Sequence, residues 1–290
     1  MTDGRARSDD LRRRLASGES VVMPGVWDAL SALIVAEAGF STAFVSGFAV
    51  SATSLGLPDV GHVGQSDMVD VARRVTAAAP ALNAVVDADT GYGNAMSVRR
   101  TVSLWEDAGA AGIFLEDQTW PKRCGHMAGK EVVSRDEWLT KLRAALDVRT
   151  HLHVTARTDA LGAVSVDEAI ERGRMARDLG VDAVFVEAPQ SLDQLERIGR
   201  ELTGVTLVAN MVEHGRTPLL TPRELSELGF RLVISPLSIL LSATRAAREA
   251  ASELSERGTL RESLDRVTPF DDFNGFIGLP RHIADGERYR

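Results

Sequence analysis

The sequence predicts an α/β fold, a (β/α)8 TIM barrel, on three observations: eight short apolar runs, glycines that close the helical patterns between them, and helix starts of one recurring form. The runs lie at 21–23, 43–45, 84–86, 113–115, 152–155, 184–186, 206–208 and 232–234. They are rich in Val, Ile, Leu and Ala and continuous rather than alternating, as parallel strands buried on both faces read. Helical patterns end in Ala38-Gly39-Phe40, Ala108-Gly109-Ala110, Leu179-Gly180-Val181 and Leu228-Gly229-Phe230, where glycine suits the left-handed residue that closes a helix. Ser134-x-x-Glu137, Ser165-x-x-Glu168, Ser191-x-x-Gln194 and Thr221-Pro222-x-Glu224 have the form of capping boxes. Strand ends are expected near 23, 46, 87, 116, 157, 187, 210 and 235, close to the roughly 30 residues of a β–α unit. A doubly wound sheet would show fewer strands and a glycine-rich nucleotide turn after the first, so the barrel is preferred. The two longer intervals, 47–65 and 117–133, are expected to be extended loops over the mouth.

Composition narrows the partners. The chain has 290 residues, 44% of them hydrophobic, with 33 basic against 41 acidic residues and a formal net charge of −8. A single domain of this length buries roughly 75% of its unfolded surface, so neither metal nor disulfide is needed for folding. An acidic balance without a basic stripe argues against nucleic acid and anionic membranes as partners. The most apolar run, 233–243, is broken by Pro236 and falls short of the ~20 residues that span a bilayer. Arg5, Arg7, Arg12, Arg13 and Arg14 precede no apolar stretch of the secretory kind, so a cytoplasmic setting is expected. Cys124 is the sole cysteine and has no internal disulfide partner. No linker divides the chain, and one barrel domain with a C-terminal helical extension from about 259 to 290 is expected.

Chemistry in such a barrel sits at the carboxyl ends of the strands. The residues just past each run are Ser46-Gly47, Asp87 and Asp89, Glu116 and Asp117, Arg157 and Asp159, Glu187, Asn210 and Ser235. Asp87 and Asp89 stand at i and i+2, on one side of an extended segment, where both can face one ion. Oxygen donors completed by water suit magnesium, and Glu116 joins from the next strand. Zinc is not favoured, because no histidine pair has ligand spacing. Gly91-Tyr92-Gly93 lacks the lysine and further glycines of a phosphate loop and reads as a tight turn. Pro121-Lys122-Arg123-Cys124-Gly125-His126 sets the thiol between two cations and a histidine, which lowers a thiol pKa toward neutrality. His62, His151, His153, His214 and His282 form no comparable group, and Trp27, Trp105 and Trp138 read as helical packing residues. Trp120, ahead of the cysteine, is a candidate lining residue.

The Asp87–Gly93 segment with Asn94-Ala95-Met96-Ser97, Leu115-Glu116-Asp117-Gln118, the Lys122–His126 signature, Ala156-Arg157-Thr158-Asp159-Ala160, Ala209-Asn210-Met211 and Pro236-Leu237-Ser238 resemble the isocitrate lyase and phosphoenolpyruvate mutase superfamily. Within it, the chain is most similar to 2-methylisocitrate lyases, dimethylmalate-type lyases and carboxyphosphonoenolpyruvate mutases. The resemblance implies a (β/α)8 barrel whose C-terminal helix is exchanged between subunits of a homotetramer, a dimer of dimers. It implies Mg2+, with Mn2+ as the alternative ion, on Asp87 and Asp89, and Asp59 and Glu116 reaching it largely through water. It assigns Ser46, Gly47 and Gly125 to the substrate carboxylate, and Arg157, Glu187 and Asn210 to orienting the rest. Cys124 is implied as general acid, with Lys122, His126, Arg157 and Glu116 as further catalytic residues.

The activity so implied is Mg-dependent cleavage of a 2-hydroxy or 2-oxo dicarboxylate to an α-keto acid and a second carboxylic acid. Formation of a carbon–phosphorus bond by a carboxyphosphonoenolpyruvate mutase is the alternative, and hydrolysis or decarboxylation of oxaloacetate a third; a barrel that only binds metabolites is the remaining reading. The chain departs from the related lyases in carrying Phe44 where they tend to have tyrosine and Phe48 where they have glycine. Leu241 stands where 2-methylisocitrate enzymes carry an arginine for a third carboxylate, so a dicarboxylate or smaller substrate is expected.

Overall fold

The computed structural model of the chain describes residues 4–123 and 129–290. Its eight strands are β1 Val21–Val26, β2 Thr42–Val45, β3 Asn83–Asp87, β4 Gly112–Glu116, β5 His153–Thr158, β6 Ala183–Val186, β7 Thr206–Asn210 and β8 Phe230–Ser235. Each pairs in parallel with its sequence neighbours, and β8 pairs with β1 to close the barrel. Every predicted run is a strand. The greatest C-terminal extension is in β1, which continues past Met23 through Pro24 and Gly25, with Pro24 in register with Ser235 and Gly25 with Phe44. Pro24 lengthens the strand without giving an N–H to the ladder.

Side chains alternate across the barrel wall and make two apolar layers. Met23, Phe44, Val85, Phe114, Phe185, Val208, Leu232 and Ile234 form one cluster with Leu11 of the helix Gly4–Ala16. Their strand neighbours Val45, Ala84, Val86, Ile113, Leu115, Val184 and Val233 belong to the other, together with residues of the surrounding helices such as Trp105 and Trp138. Phe114 lies 5.0 Å from Phe44 and 5.7 Å from Phe185, centroid to centroid. Three rings thus fill the barrel interior, each contributing on the order of 1.5–3 kcal/mol by burial.

The joints behave as their sequence suggests, with instructive exceptions. Gly39, Gly109, Gly180 and Gly229 all have φ between 77° and 95°, the left-handed region expected after a helix. All four predicted caps accept from the backbone N–H three residues on. Only Thr221 and Glu224 complete the reciprocal box. Glu168 instead takes Arg135 and Arg172, since a nearby guanidinium is a stronger partner for a carboxylate than a backbone N–H. The expected loop 47–65 starts helically, with Gly47–Val50 and a wide turn at Ser51–Leu55. Trp27 precedes the N-cap Asp28 and so lies outside the helix Ala29–Glu37, whereas Trp105 and Trp138 are fully buried in helices.

The chain divides into two compact units, 1–240 and 241–290. The first holds the barrel. The second holds most of the helix Ser238–Arg257, the turn Leu264–Arg266 and the helices Phe270–Phe276 and Leu279–Glu287. Among the described residues, no helix is long and apolar enough to cross a membrane.

His153 on β5 is 1% exposed, and its Nδ1 has no hydrogen-bond partner among the described residues. Burial, with Arg12 and Arg149 nearby and Asp182 opposing them, lowers its pKa to about 4. The unfolded chain takes this proton near pH 6.5 and the folded chain only near 4. Stability is therefore lost as pH falls through that window, by on the order of 3 kcal/mol. Urea unfolding of the wild type and His153→Phe at pH 7.5 and pH 4.5 should show a gap between the two that changes by this amount; a constant gap would contradict it.

Candidate active site

The carboxyl ends of the strands bring the predicted polar residues to one mouth. Ser46 follows β2, Asp87 ends β3, Glu116 ends β4, Arg157 lies next to last on β5, Glu187 follows β6 and Asn210 ends β7. A cavity of about 40 Å3 is lined on its polar side by Ser46, Asp59, Asp87, Arg157, Glu187 and Asn210. Phe44, Phe48, Phe114, Phe185, Val212 and Leu237 make most of the apolar wall. This is space for a few waters, the scale of a small substrate's reacting atoms rather than of a nucleotide.

Lys122 sits among the carboxylates. Its Nζ lies 2.6 Å from Asp59 Oδ1 and 2.8 Å from Asp89 Oδ1, and all three side chains are at least nine-tenths buried. At 2.8 Å the contact to Asp89 is a close ion pair. Burial, then repulsion from Asp87 and Asp59, raises the Asp89 carboxyl against the pull of Lys122. Burial disfavours the Lys122 ammonium, yet Asp89, Asp87, Asp59 and Glu116 together hold its pKa well above the ordinary value.

Arg157 is the second hub. It contacts Glu116 Oε2 at 3.2 Å, Asp159 Oδ2 at 2.9 Å and Glu187 Oε2 at 3.4 Å, and its guanidinium carbon lies 5.5 Å from the Phe185 ring centroid. Asn210 Nδ2 donates to Glu187 at 3.3 Å. Across the mouth, Asp59, Asp87, Asp89, Glu116, Asp159 and Glu187 face Lys122, Lys130 and Arg157, so among the described residues six carboxylates meet three cations.

Local backbone explains the placements. Asp87 Oδ1 accepts from the Asp89 N–H at 3.1 Å, and Asp89 itself takes φ 44°. The turn then closes with a 2.8 Å bond from Gly91 N–H to the Ala88 carbonyl, and Asn94 caps the helix Ala95–Asp107. The hydrogen-bonded turn thus lies at 88–91, just ahead of the turn read at 91–93, where Gly91, Tyr92 and Gly93 bend the chain with positive φ. A Cβ on Gly47 would stand 3.0 Å from Asp87 Oδ2, so glycine keeps that carboxylate oxygen uncovered. Ser46 Oγ accepts from the Ala49 N–H at 3.3 Å and caps the turn that presents Gly47.

Donor chemistry at the mouth suits a hard cation. Glu116 Oε1 is buried with no hydrogen-bond partner among the described residues, an acceptor that is costly to leave unused. Burial raises the Glu116 carboxyl well above its usual range despite Arg157. No three His, Cys, Asp or Glu side chains among the described residues converge as direct ligands. A magnesium ion held by one or two carboxylates and water needs no such convergence.

Cys124, Gly125 and His126 lie outside the described residues. Several neighbours went unassigned in the sequence reading. Asp159 binds both Arg157 and the buried Lys130, at 2.6 Å from Lys130 Nζ. Asp117, with no exposed surface, accepts from Thr158 at 2.6 Å, the Asp159 N–H at 2.8 Å and Arg172 at 3.0 Å. Both aspartates had shown themselves as strand-end carboxylates; Lys130 and Arg172 gave no local signal. Trp120, expected as a lining residue, is 54% exposed and borders a separate cavity with Gly61, Tyr92 and Lys141.

The sequence model of the family described as phosphoenolpyruvate phosphomutase matches residues 11–255. The chain belongs to this family, within the isocitrate lyase/phosphoenolpyruvate mutase superfamily, and is an enzyme of that class. It is 46% identical over 274 residues to the chloroplastic carboxyvinyl-carboxyphosphonate phosphorylmutase of Arabidopsis thaliana, covering 93% of this chain and 80% of that one. It is 41% identical over 273 residues to the 2,3-dimethylmalate lyase of Eubacterium barkeri, covering 93% and 94%. A phosphonopyruvate hydrolase solved in complex with oxalate and Mg2+ superposes with a TM-score of 0.88 at 28% identity, covering 98% and 99%.

Arg172 is the one basic side chain on buried Asp117 among the described residues, and the Asp117 carboxyl is pushed up to about 6 by burial and by Asp159. Arg172→Met should cost about 3–5 kcal/mol in urea unfolding, with partial recovery in Arg172→Met/Asp117→Asn. A small loss that the second substitution leaves unchanged would contradict the pairing.

Proposed function

We propose that the chain is a Mg2+-dependent carbon–carbon lyase that cleaves a 2-hydroxy dicarboxylate into an α-keto acid and a second carboxylic acid. The observation that carries this reading is the excess of carboxylates at the mouth, six against three cations. An anionic substrate entering that field without a further cation would be repelled and desolvated at a cost of several kcal/mol. Asp87 and Asp89 would hold the ion, with Asp59 and Glu116 reaching it through water. Bound there, it supplies Lewis acidity to the oxygen that becomes the keto group.

The chain's own residues supply the rest. Ser46, Gly47 and Gly125 would hold one substrate carboxylate. Arg157, held in place by Asp159 and stacked over Phe185, orients the other with Glu187 and Asn210. Phe44 packs on Phe114 and brings no hydroxyl. Glu116, with its raised pKa and unpartnered Oε1, is the group suited to take the substrate hydroxyl proton. The oxygen lone pair then forms the carbonyl as the adjacent carbon–carbon bond breaks. The bond's electrons remain on the departing carbon, which takes a proton from the Cys124 thiol. Lys122 and His126 flank that thiol in sequence.

The apolar wall of Phe48, Val212 and Leu237 favours alkyl substituents over a third carboxylate. Carbon–phosphorus bond formation is the second reading, supported by the 46% identity to a phosphorylmutase. The assembly proposed with either reading is a homotetramer in the cytoplasm with exchanged C-terminal helices. Leu254, Phe270, Ile277 and Ile283, all exposed in the second unit, support an apolar partner there.

With Mg2+, the protein should release pyruvate from 2,3-dimethylmalate, and Cys124→Ser should lower kcat by about 10^2 to 10^4 with KM little changed. Full turnover by that variant would remove the thiol from the mechanism. Release of no keto acid, together with a carbon–phosphorus signal by phosphorus NMR from carboxyphosphonoenolpyruvate, would replace the lyase with the mutase.

A further inference from the structure

Gln118 belongs to the Leu115-Glu116-Asp117-Gln118 motif, and no role has fallen to it. It follows β4 and is 2% exposed. The backbone around it forms a short antiparallel rung: Gln118 bridges Val132, the Thr119 N–H donates to the Glu131 carbonyl at 2.9 Å, and the Val133 N–H donates to the Asp117 carbonyl at 2.8 Å. Beyond Thr119 the main-chain ladder ends. The Gln118 side chain then continues it, with Nε2 donating to the Arg123 carbonyl at 2.8 Å and Oε1 accepting from the Arg123 N–H at 2.9 Å. A primary amide matches a peptide unit in having one donor and one acceptor side by side, so both polar groups of Arg123 are held as if by a neighbouring strand.

Lys122 is the residue just before this clamp. Its ammonium is buried between Asp59 and Asp89, a placement that needs a long flexible side chain to be delivered from a fixed backbone, because the stem alone carries large rotamer freedom. Arg123, next to it, is exposed. Lys122 thus runs into the mouth while Arg123 is an exposed residue, and the amide of Gln118 fixes the backbone between them.

We propose that Gln118 is the positioning residue that sets Lys122 between Asp59 and Asp89, acting through the Arg123 backbone. The consequence for catalysis rests on the lyase reading above; the placement itself does not.

The chain offers a clean test, because it contains only three lysines, Lys122, Lys130 and Lys141, all buried. Lys130 is held by Asp159, and Lys141 by the Thr90 carbonyl at 3.3 Å; both serve as internal references. The folded protein, without added metal, is labelled with an amine-acetylating reagent and each lysine is followed by mass spectrometry. Gln118→Met keeps the side chain's length and removes both hydrogen bonds. It should raise Lys122 labelling by about tenfold relative to Lys141, the factor set by one or two hydrogen bonds of ordinary net strength. Gln118→Glu, which keeps the acceptor but places a carboxylate against the Arg123 carbonyl, should raise it too, and it serves as the second variant if Gln118→Met folds poorly.

Lys122 protected equally in wild type and both variants overturns the proposal whatever the reaction. A rise shared by all three lysines overturns it as well, since Gln118 would then be general support. On the substrate that the wild type turns over, both variants should lose kcat with little change in KM. Selective Lys122 exposure with undiminished turnover supports the clamp and overturns the part given to Lys122 in the reaction.

Discussion

Buried negative charge in excess of its partners is the constraint around which the mouth of this barrel is arranged. Among the described residues, six carboxylates approach one another with Lys122, Lys130 and Arg157 between them. Burial raises the Asp89 and Glu116 carboxyls, and neighbouring carboxylates raise them further against the pull of Lys122 and Arg157. Two of the basic residues act as hubs for this reason. Lys122 joins the side that carries Asp59 and Asp89, and Arg157 joins Glu116, Asp159 and Glu187. The excess among the described residues is negative, and the function proposed above sets a divalent cation against it.

Such a concentration of charge needs a rigid frame, and the frame is apolar and hydrogen-bonded by turns. Below Arg157, the rings of Phe44, Phe114 and Phe185 fill the barrel and leave no room for solvent to relax the charges from beneath. To one side, Asp117 ties Thr158 and the Asp159 N–H to Arg172, which in turn holds Glu168 and the Val133 carbonyl. The orientation of Asp159, and through it of Arg157 and Lys130, is thus fixed by residues that do not line the cavity. Networks of this kind are costly if one member is lost.

Much of this was legible in the chain. The eight runs announced the barrel because two-sided burial leaves an uninterrupted apolar signature, and the carboxylates were visible because each interrupts that signature where a strand ends. Asp59 was reached only through resemblance, since it lies in a connecting segment with no period. Lys130, Arg172 and Gln118 were not assigned because their roles are made by contacts across 5 to 55 residues of sequence, and a long polar side chain beside a loop looks the same whether buried or solvated. The reciprocal caps failed at Ser165 and Ser191 because the expected partner was taken elsewhere: guanidiniums hold Glu168, and Gln194 accepts from the Gln190 N–H instead. Phe44 shows the converse, a residue read as a missing hydroxyl that serves as one of three rings in the barrel interior.

The dependence of anion binding on a divalent cation tests this account most directly. Isothermal titration of the protein with oxalate, once with Mg2+ and once with chelator, should give saturable binding only when Mg2+ is present, and Asp87→Asn should abolish it. Oxalate bound with equal affinity in chelator would contradict the account, because the mouth would then accept an acid against its own charge.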